Sequence, residues 1–142
     1  MPDWQLYTQS GEKLEYQKLQ GKPLLLHFWA TWCPYCKKLQ PGLERLRQKY
    51  QSQGLQVIGI SFNEDQGVKP QDTLSNRGIN FVTAVDGDQL AREMGVMGTP
   101  TTYFVYADGT ILTVTNTSNP NDPLLERAVL ALLNKPVPES AN

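Results

Sequence analysis

Hydrophobic and polar positions alternate along this chain with two different periods. Residues 4–19, WQLYTQSGEKLEYQKL, read as two short strands about a Ser10-Gly11 turn. Residues 24–30, LLLHFWA, are apolar except for His27, the pattern of a central strand buried on both faces. After Cys33 the period becomes helical. Leu39, Leu43, Leu46 and Tyr50 form one stripe, with Pro34 in the first turn, a kink expected at Pro41 and Gly54 as the stop. LQVIGISF (55–62) predicts a second buried strand. A loop and helix are expected over 66–77, closed by Gly78, then a short extended segment at 81–86 and a short helix over 87–95 ending at Gly95. TTYFVYADGTILTVTN (101–116) predicts a hairpin about Asp108-Gly109. Asp122 is the expected N-cap of a last helix that begins at Pro123 and buries Leu125, Ala128, Val129, Leu132 and Leu133. Buried parallel strands followed by an antiparallel hairpin predict an α/β fold: a mixed central sheet flanked by helices, with an added N-terminal hairpin.

Composition narrows the picture only in part. A chain of 142 residues, 39% of them hydrophobic, suits a single domain over 1–142, with an ordered core over 4–135 and a flexible Pro-rich tail at 136–142. A net charge of −1, from 13 basic and 14 acidic groups, argues against a nucleic-acid partner. The longest apolar stretch is strand-sized, far short of the roughly 18 residues of a membrane span. The N-terminus, MPDWQLYTQSGE, lacks the basic and apolar regions of a signal peptide. Two placements stay open: cytoplasmic, or a mature envelope domain whose targeting segment lies outside this sequence.

The candidate chemistry lies in FWATWCPYCKKLQP, which holds the chain's two cysteines, Cys33 and Cys36. A tetrahedral metal site wants four ligands. Besides the cysteines there is one histidine, His27, on a predicted buried strand from which it does not easily join their face, so a metal site needs a second chain. As a structural staple, a disulfide closing so short a loop removes little entropy from the unfolded chain. The redox reading has a mechanism. Cys33 falls where strand gives way to helix, and the N–H groups and dipole of a helix N-terminus favour a thiolate. Cys36, one turn further along the same face, is placed to attack a mixed disulfide at Cys33. Cys33 is therefore the expected nucleophile and Cys36 the resolving thiol, with no cofactor and no metal.

FWATWCPYC, Pro41 five residues after the second cysteine, and GTPTTYFVYADG about sixty residues later resemble the thioredoxin superfamily. The N-terminal hairpin and the long segment around 64–80 are similar to its TlpA/ResA/DsbE-like branch of bacterial envelope thiol-disulfide oxidoreductases. The resemblance covers residues 5–134. It implies a cis peptide bond at Thr99-Pro100, facing the cysteines, with the backbone of Thr99 pairing with an extended substrate peptide. It also implies that Glu64, after VIGISFN, tunes the thiol pair, although the neighbouring Asp65 leaves the register open and an exposed loop acid is the alternative. His27 stands where cytosolic thioredoxins carry a buried acid beneath the resolving cysteine. A neutral imidazole there either moves that cysteine's proton or is an ordinary core histidine.

Pro34 and Tyr35 are the glutaredoxin dipeptide and differ by one residue from the CPHC of DsbA, a range from about −230 to about −120 mV. Tyr35 carries no charge to hold a thiolate, so a potential below that of DsbA is expected. Trp32 is expected to cover the disulfide and offer apolar surface to a substrate. The resemblance implies reduction of disulfides in envelope proteins, cytochrome c precursors among them, by a monomer supplied with electrons by a membrane thiol donor. A disulfide oxidase or isomerase is the alternative within the same chemistry. A Cu(I)-binding carrier is the alternative from another class, although no histidine follows Cys36.

Overall fold

The computed structural model describes residues 1–134; the expected tail at 136–142 lies outside the described residues. One mixed sheet organises them. Its strands are β1 (Gln5–Thr8), β2 (Lys13–Glu15), β3 (Leu24–Trp29), β4 (Gln56–Ser61), β5 (Val82–Val85), β6 (Thr101–Val105) and β7 (Ile111–Thr115), in the order β2-β1-β5-β4-β3-β6-β7. β3 pairs in parallel with β4, and β4 with β5, while β6 runs antiparallel to β3. The N-terminal hairpin joins the sheet through β5, by an antiparallel pairing of β1 that includes Tyr7 opposite Val85.

Helices cover both faces: α1 (Tyr16–Leu19), α2 (Pro34–Tyr50), α3 (Pro70–Asn76), α4 (Asp88–Glu93) and α5 (Pro123–Asn134). Strand parity sorts β3 between two cores. Leu25 and Trp29 pack with Cys36, Leu39 and Leu43 of α2, with Leu74 of α3, and with Leu125 and Val129 of α5. Leu24, Leu26 and Phe28 face the other way, toward Tyr16 of α1 and Leu90 and Ala91 of α4. A strand with apolar groups on both faces is continuously hydrophobic for this reason.

Two expectations need adjusting, at residues 16–19 and at the end of α2. Residues 16–19 form the one-turn helix α1 rather than the end of a strand, and Tyr16 is buried against Trp4. α2 runs from Pro34 to Tyr50 with Pro41 inside it. The hydrogen bond lost there is the one to the Lys37 carbonyl one turn back, beside an exposed side chain where water can reach. The helix ends before Gly54. A 3-10 turn, Gln51–Gln53, intervenes, and Gly54 at φ 99° closes it in the left-handed region that glycine alone enters freely. The short extended segment expected at 81–86 is the sheet strand β5, Val82–Val85, which bridges the hairpin to β4.

Candidate active site

Sheet register brings the candidate residues to one edge. β3 ends at Trp29, and four residues later Cys33 caps α2. β4 lies parallel with Ser61 opposite Trp29, so the loop after it carries Glu64 to the same end. β6 is antiparallel, with Thr101 opposite Phe28, so its start, and Thr99-Pro100 before it, also lie there. The Thr99-Pro100 peptide bond is cis.

Cys33 is the N-cap residue. Its extended backbone (φ −86°, ψ 110°) lets the sulfur accept a hydrogen bond from the Cys36 backbone N–H at 3.2 Å. Pro34 follows at the first helical position, where no N–H is needed. The Cys33 thiol donates toward the Thr99 carbonyl at 3.7 Å, so the sulfur touches the peptide unit before the cis-proline. Cys33 is 3% exposed and Cys36 not at all. The Cys36 thiol is pushed up to about 12, chiefly by burial and then by its hydrogen bond to Cys33, against opposing bonds involving Ala30 and Thr99. Both cysteines are free thiols here. The pair thus consists of one sulfur at a helix N-terminus, reachable from the cis-proline side, and a second sealed beneath it.

The surrounding surface is apolar and open. Trp32 is 57% exposed, Tyr35 62% and Met97 96%. Trp32 lies over the loop after β4 rather than free, its indole N–H donating to the Asn63 carbonyl at 2.8 Å. A cavity of about 180 Å³ runs between Trp32, Phe62, Met97 and Thr99. Sequence reasoning did not single out Met97; the signal was a large apolar side chain three residues before the proline.

Glu64 reaches Thr31, two residues before Cys33, whereas Asp65 is exposed. One Glu64 carboxylate oxygen accepts from the Thr31 backbone N–H (2.7 Å) and the Ser61 hydroxyl (2.8 Å), the other from the Thr31 hydroxyl (2.6 Å). Glu64 therefore ties the end of β4 to the loop that presents Cys33.

His27 occupies a place the sequence reading misjudged. By strand parity it shares a face with Leu25 and Trp29, so it does point toward α2. It meets α2 one turn past Cys36, at Gln40: Gln40 Nε2 lies 3.4 Å from His27 Nε2, and His27 Nδ1 lies 3.2 Å from the Thr102 hydroxyl. Phe81 packs against the ring in a T-shaped contact. Burial pulls the imidazole down to about 3, so it is neutral at working pH. Both ring nitrogens are engaged by partners other than the thiols.

Sequence reasoning also missed Arg77, at the end of α3. Its guanidinium donates to the Thr31 carbonyl at 3.0 Å and to Gln40 Oε1 at 2.9 Å, and stands over the Trp29 ring at 5.9 Å. Among the described residues no group of three or more His, Cys, Asp or Glu converges as metal ligands would. No described helix is long and apolar enough to cross a membrane.

Comparison with known proteins agrees with this geometry. The sequence model of the AhpC/TSA family matches residues 1–114. The chain is 35% identical over 115 residues to the thioredoxin-like protein YneN of Bacillus subtilis, covering 78% of this chain and 65% of that one. It is 31% identical over 129 residues to the thiol:disulfide interchange protein DsbE of Yersinia pestis, covering 89% and 66%. It is 30% identical over 112 residues to the thiol-disulfide oxidoreductase ResA of Bacillus thuringiensis, covering 78% and 64%. The chain thus spans just under two thirds of the length of these relatives. A crystal structure of a candidate DsbE-type thiol:disulfide interchange protein from Chlorobium tepidum superposes with a TM-score of 0.84 at 29% identity, covering 94% of each chain. Strand order, the cis-proline beside a Cys-x-x-Cys helix and these relatives agree: the chain belongs to the AhpC/TSA family, with a thioredoxin fold of the ResA- and DsbE-like kind.

Proposed function

We propose that this chain is a thiol-disulfide oxidoreductase that reduces disulfides in envelope proteins, with Cys33 as nucleophile and Cys36 as resolving thiol. The observation that carries the reading is the asymmetry of the pair. Cys33 Sγ accepts the Cys36 N–H at the start of α2 and lies against the peptide before the cis-proline, while Cys36 is fully buried beneath it with its thiol held protonated.

The chemistry follows from that order. The Cys33 thiolate attacks one sulfur of a substrate disulfide. A Cys33–substrate S–S bond forms, the substrate bond breaks, and one substrate thiolate leaves. The substrate segment lies in the groove between Trp32 and Met97, its backbone toward Thr99. Cys36 then attacks Cys33 Sγ, its proton passing to a departing substrate thiolate, which releases the second substrate sulfur and leaves the Cys33–Cys36 disulfide. Two electrons have passed from protein to substrate. Glu64 holds the Thr31 segment that presents Cys33. A membrane thiol donor restores the dithiol of a monomeric protein, and cytochrome c precursors are among the substrates. The names of the ResA and DsbE relatives, and a 29%-identical secreted disulfide oxidoreductase of Mycobacterium tuberculosis homologous to the Escherichia coli DsbE, with a TM-score of 0.75, support the class and an envelope location.

The reduction potential tests the direction. The protein is equilibrated in dithiothreitol and glutathione buffers while tryptophan fluorescence is read. A reductant is expected near or below about −270 mV, the level of thioredoxin. A value above about −180 mV, the level of protein disulfide isomerase, overturns reduction in favour of the oxidase or isomerase that the CPYC dipeptide permits.

A further inference from the structure

We propose that Arg77 is a positioning residue of the dithiol site: its guanidinium clamps the Thr31 carbonyl to Gln40 of α2 and stands as the fixed cation that favours the reactive thiolate.

The clamp joins the two segments that hold the cysteines. Thr31 lies two residues before Cys33, in the loop leaving β3. Gln40 lies four residues after Cys36, one turn along the same buried face of α2. Arg77 bonds both at once, from a third element 37 residues beyond Gln40 in sequence. A planar fork spans two acceptors in this way; a lysine ammonium has no such geometry.

The clamp also orders what lies beneath. Because Gln40 Oε1 accepts from Arg77, the Gln40 amide must turn its N–H toward His27 Nε2. His27 then carries its hydrogen on Nδ1 and donates to Thr102. The sequence Arg77, Gln40, His27, Thr102 is one continuous polar network through the core on the α2 side of the sheet.

Both acceptors of Arg77 are neutral amide oxygens, so its hydrogen bonds do not consume its charge in a carboxylate contact. Burial pulls the guanidinium below its usual range, while negative charge on Cys36, Cys33 and Glu64 acts to hold its proton. Bonded to the Thr31 carbonyl, two residues before Cys33, the guanidinium is thereby held as a cation beside the segment that presents the thiol. The other charged groups near the pair are the Glu64 carboxylate, which opposes the effect, and Lys37 and Lys38, which project into solvent and are screened. His27 is neutral and adds no charge.

The inference rests on the dithiol reading of the site, and its test separates the two. Reduced protein is mixed with 4,4′-dithiodipyridine, a disulfide that is neutral above pH 6 and so not itself drawn to an arginine. The second-order rate of thiopyridone release is followed from pH 6 to pH 9. Wild-type protein should yield two thiopyridones and a Cys33–Cys36 disulfide; failure to form that disulfide counts against the proposed function, whatever Arg77 does. In Arg77→Met the rate at pH 7 is expected to fall about three- to tenfold, the deficit shrinking as pH rises, because loss of the cation lowers the thiolate fraction below the thiol pKa but leaves the thiolate, once formed, at least as nucleophilic. An unchanged rate overturns the proposal. So does a deficit of equal size at every pH, which marks altered access and not charge. If Arg77→Met does not fold, Arg77→Gln decides. It keeps hydrogen-bond donors but carries no cation, so its rate at pH 7 is expected to fall about threefold or more, again with the deficit shrinking at high pH; a wild-type profile overturns the proposal.

Discussion

Cys36 is the side chain whose chemistry depends most on its burial. An exposed thiol and one sealed under α2 differ only in their surroundings, yet the folded Cys36 is pushed from 9.0 to about 12, chiefly by burial. That shift is linked to stability. A group whose folded value is raised contributes stability that is complete below the unfolded value and is lost as pH climbs toward the folded one. The reduced protein is therefore expected to lose stability between about pH 9 and about pH 12, at no more than about 1.4 kcal/mol per pH unit from this group. Tyrosines and lysines titrate in the same range, so the comparison is with Cys36→Ser, whose hydroxyl does not ionise. Urea unfolding of both reduced proteins at pH 8 and pH 10 reads the difference. Equal losses would mean that Cys36 is not held protonated by the fold. Glu64 shows the same dependence on position: one loop acid reads like its neighbour Asp65 in the sequence, and only the register of β4 against β3 selects the one that reaches Thr31.

At the scale of elements, helix α2 meets the rest of the chain most tightly at Gly42. A Cβ built there falls inside van der Waals contact of the Pro120 carbonyl oxygen and 2.8 Å from the Pro120 Cα. The loop before α5 is backbone at that point and cannot step aside as a side chain would. Gly42→Ala gains about 1 kcal/mol of helix propensity but meets overpacking that costs about 1–3 kcal/mol, so a net loss is expected. Thermal unfolding measures it, and a stabilised variant would mean that the loop at Pro120 yields. No sequence pattern announces this contact, because the two segments meet only in the fold. Elements whose signal is local were readable: the apolar runs of β3 and β4, the Asp108-Gly109 hairpin, and α5 after its cap, where Asp122 Oδ1 accepts from the Leu124 N–H at 3.0 Å. α1 was missed because its single turn owes its place to the packing of Tyr16 against Trp4 rather than to any period. The Cys33–Cys36 pair was legible because its chemistry follows from spacing and local geometry, and Pro100 through the family resemblance. Arg77 and Gln40 were not, since 37 residues separate two polar side chains that look exposed in isolation.

For the whole molecule the most consequential buried group is His27, a histidine enclosed by a strand, a helix and Phe81 with no charge beside it. In the unfolded chain it titrates near 6.5; in the fold burial holds it down to about 3. The unfolded state therefore binds more protons between those values, and stability must fall as pH drops through that window. The slope is about 1.4 kcal/mol per pH unit at its steepest, large against a total stability of about 5–15 kcal/mol. Carboxylates add losses of the same sign lower down. Burial acts to raise Glu44, but hydrogen bonds from Arg47 and Gln48 hold it below the usual range of a glutamate, so its contribution goes only at still lower pH. The interval from pH 6.5 to pH 5 thus belongs mainly to His27. Denaturant midpoints across it should fall steadily for the wild type and stay nearly flat for His27→Asn, which keeps an N–H for Thr102 but does not titrate. A wild-type curve as flat as that of the variant would mean that the ring takes up its proton inside the fold. The Gln40 amide pointing at Nε2 would then have to reverse and, with it, release its oxygen from Arg77.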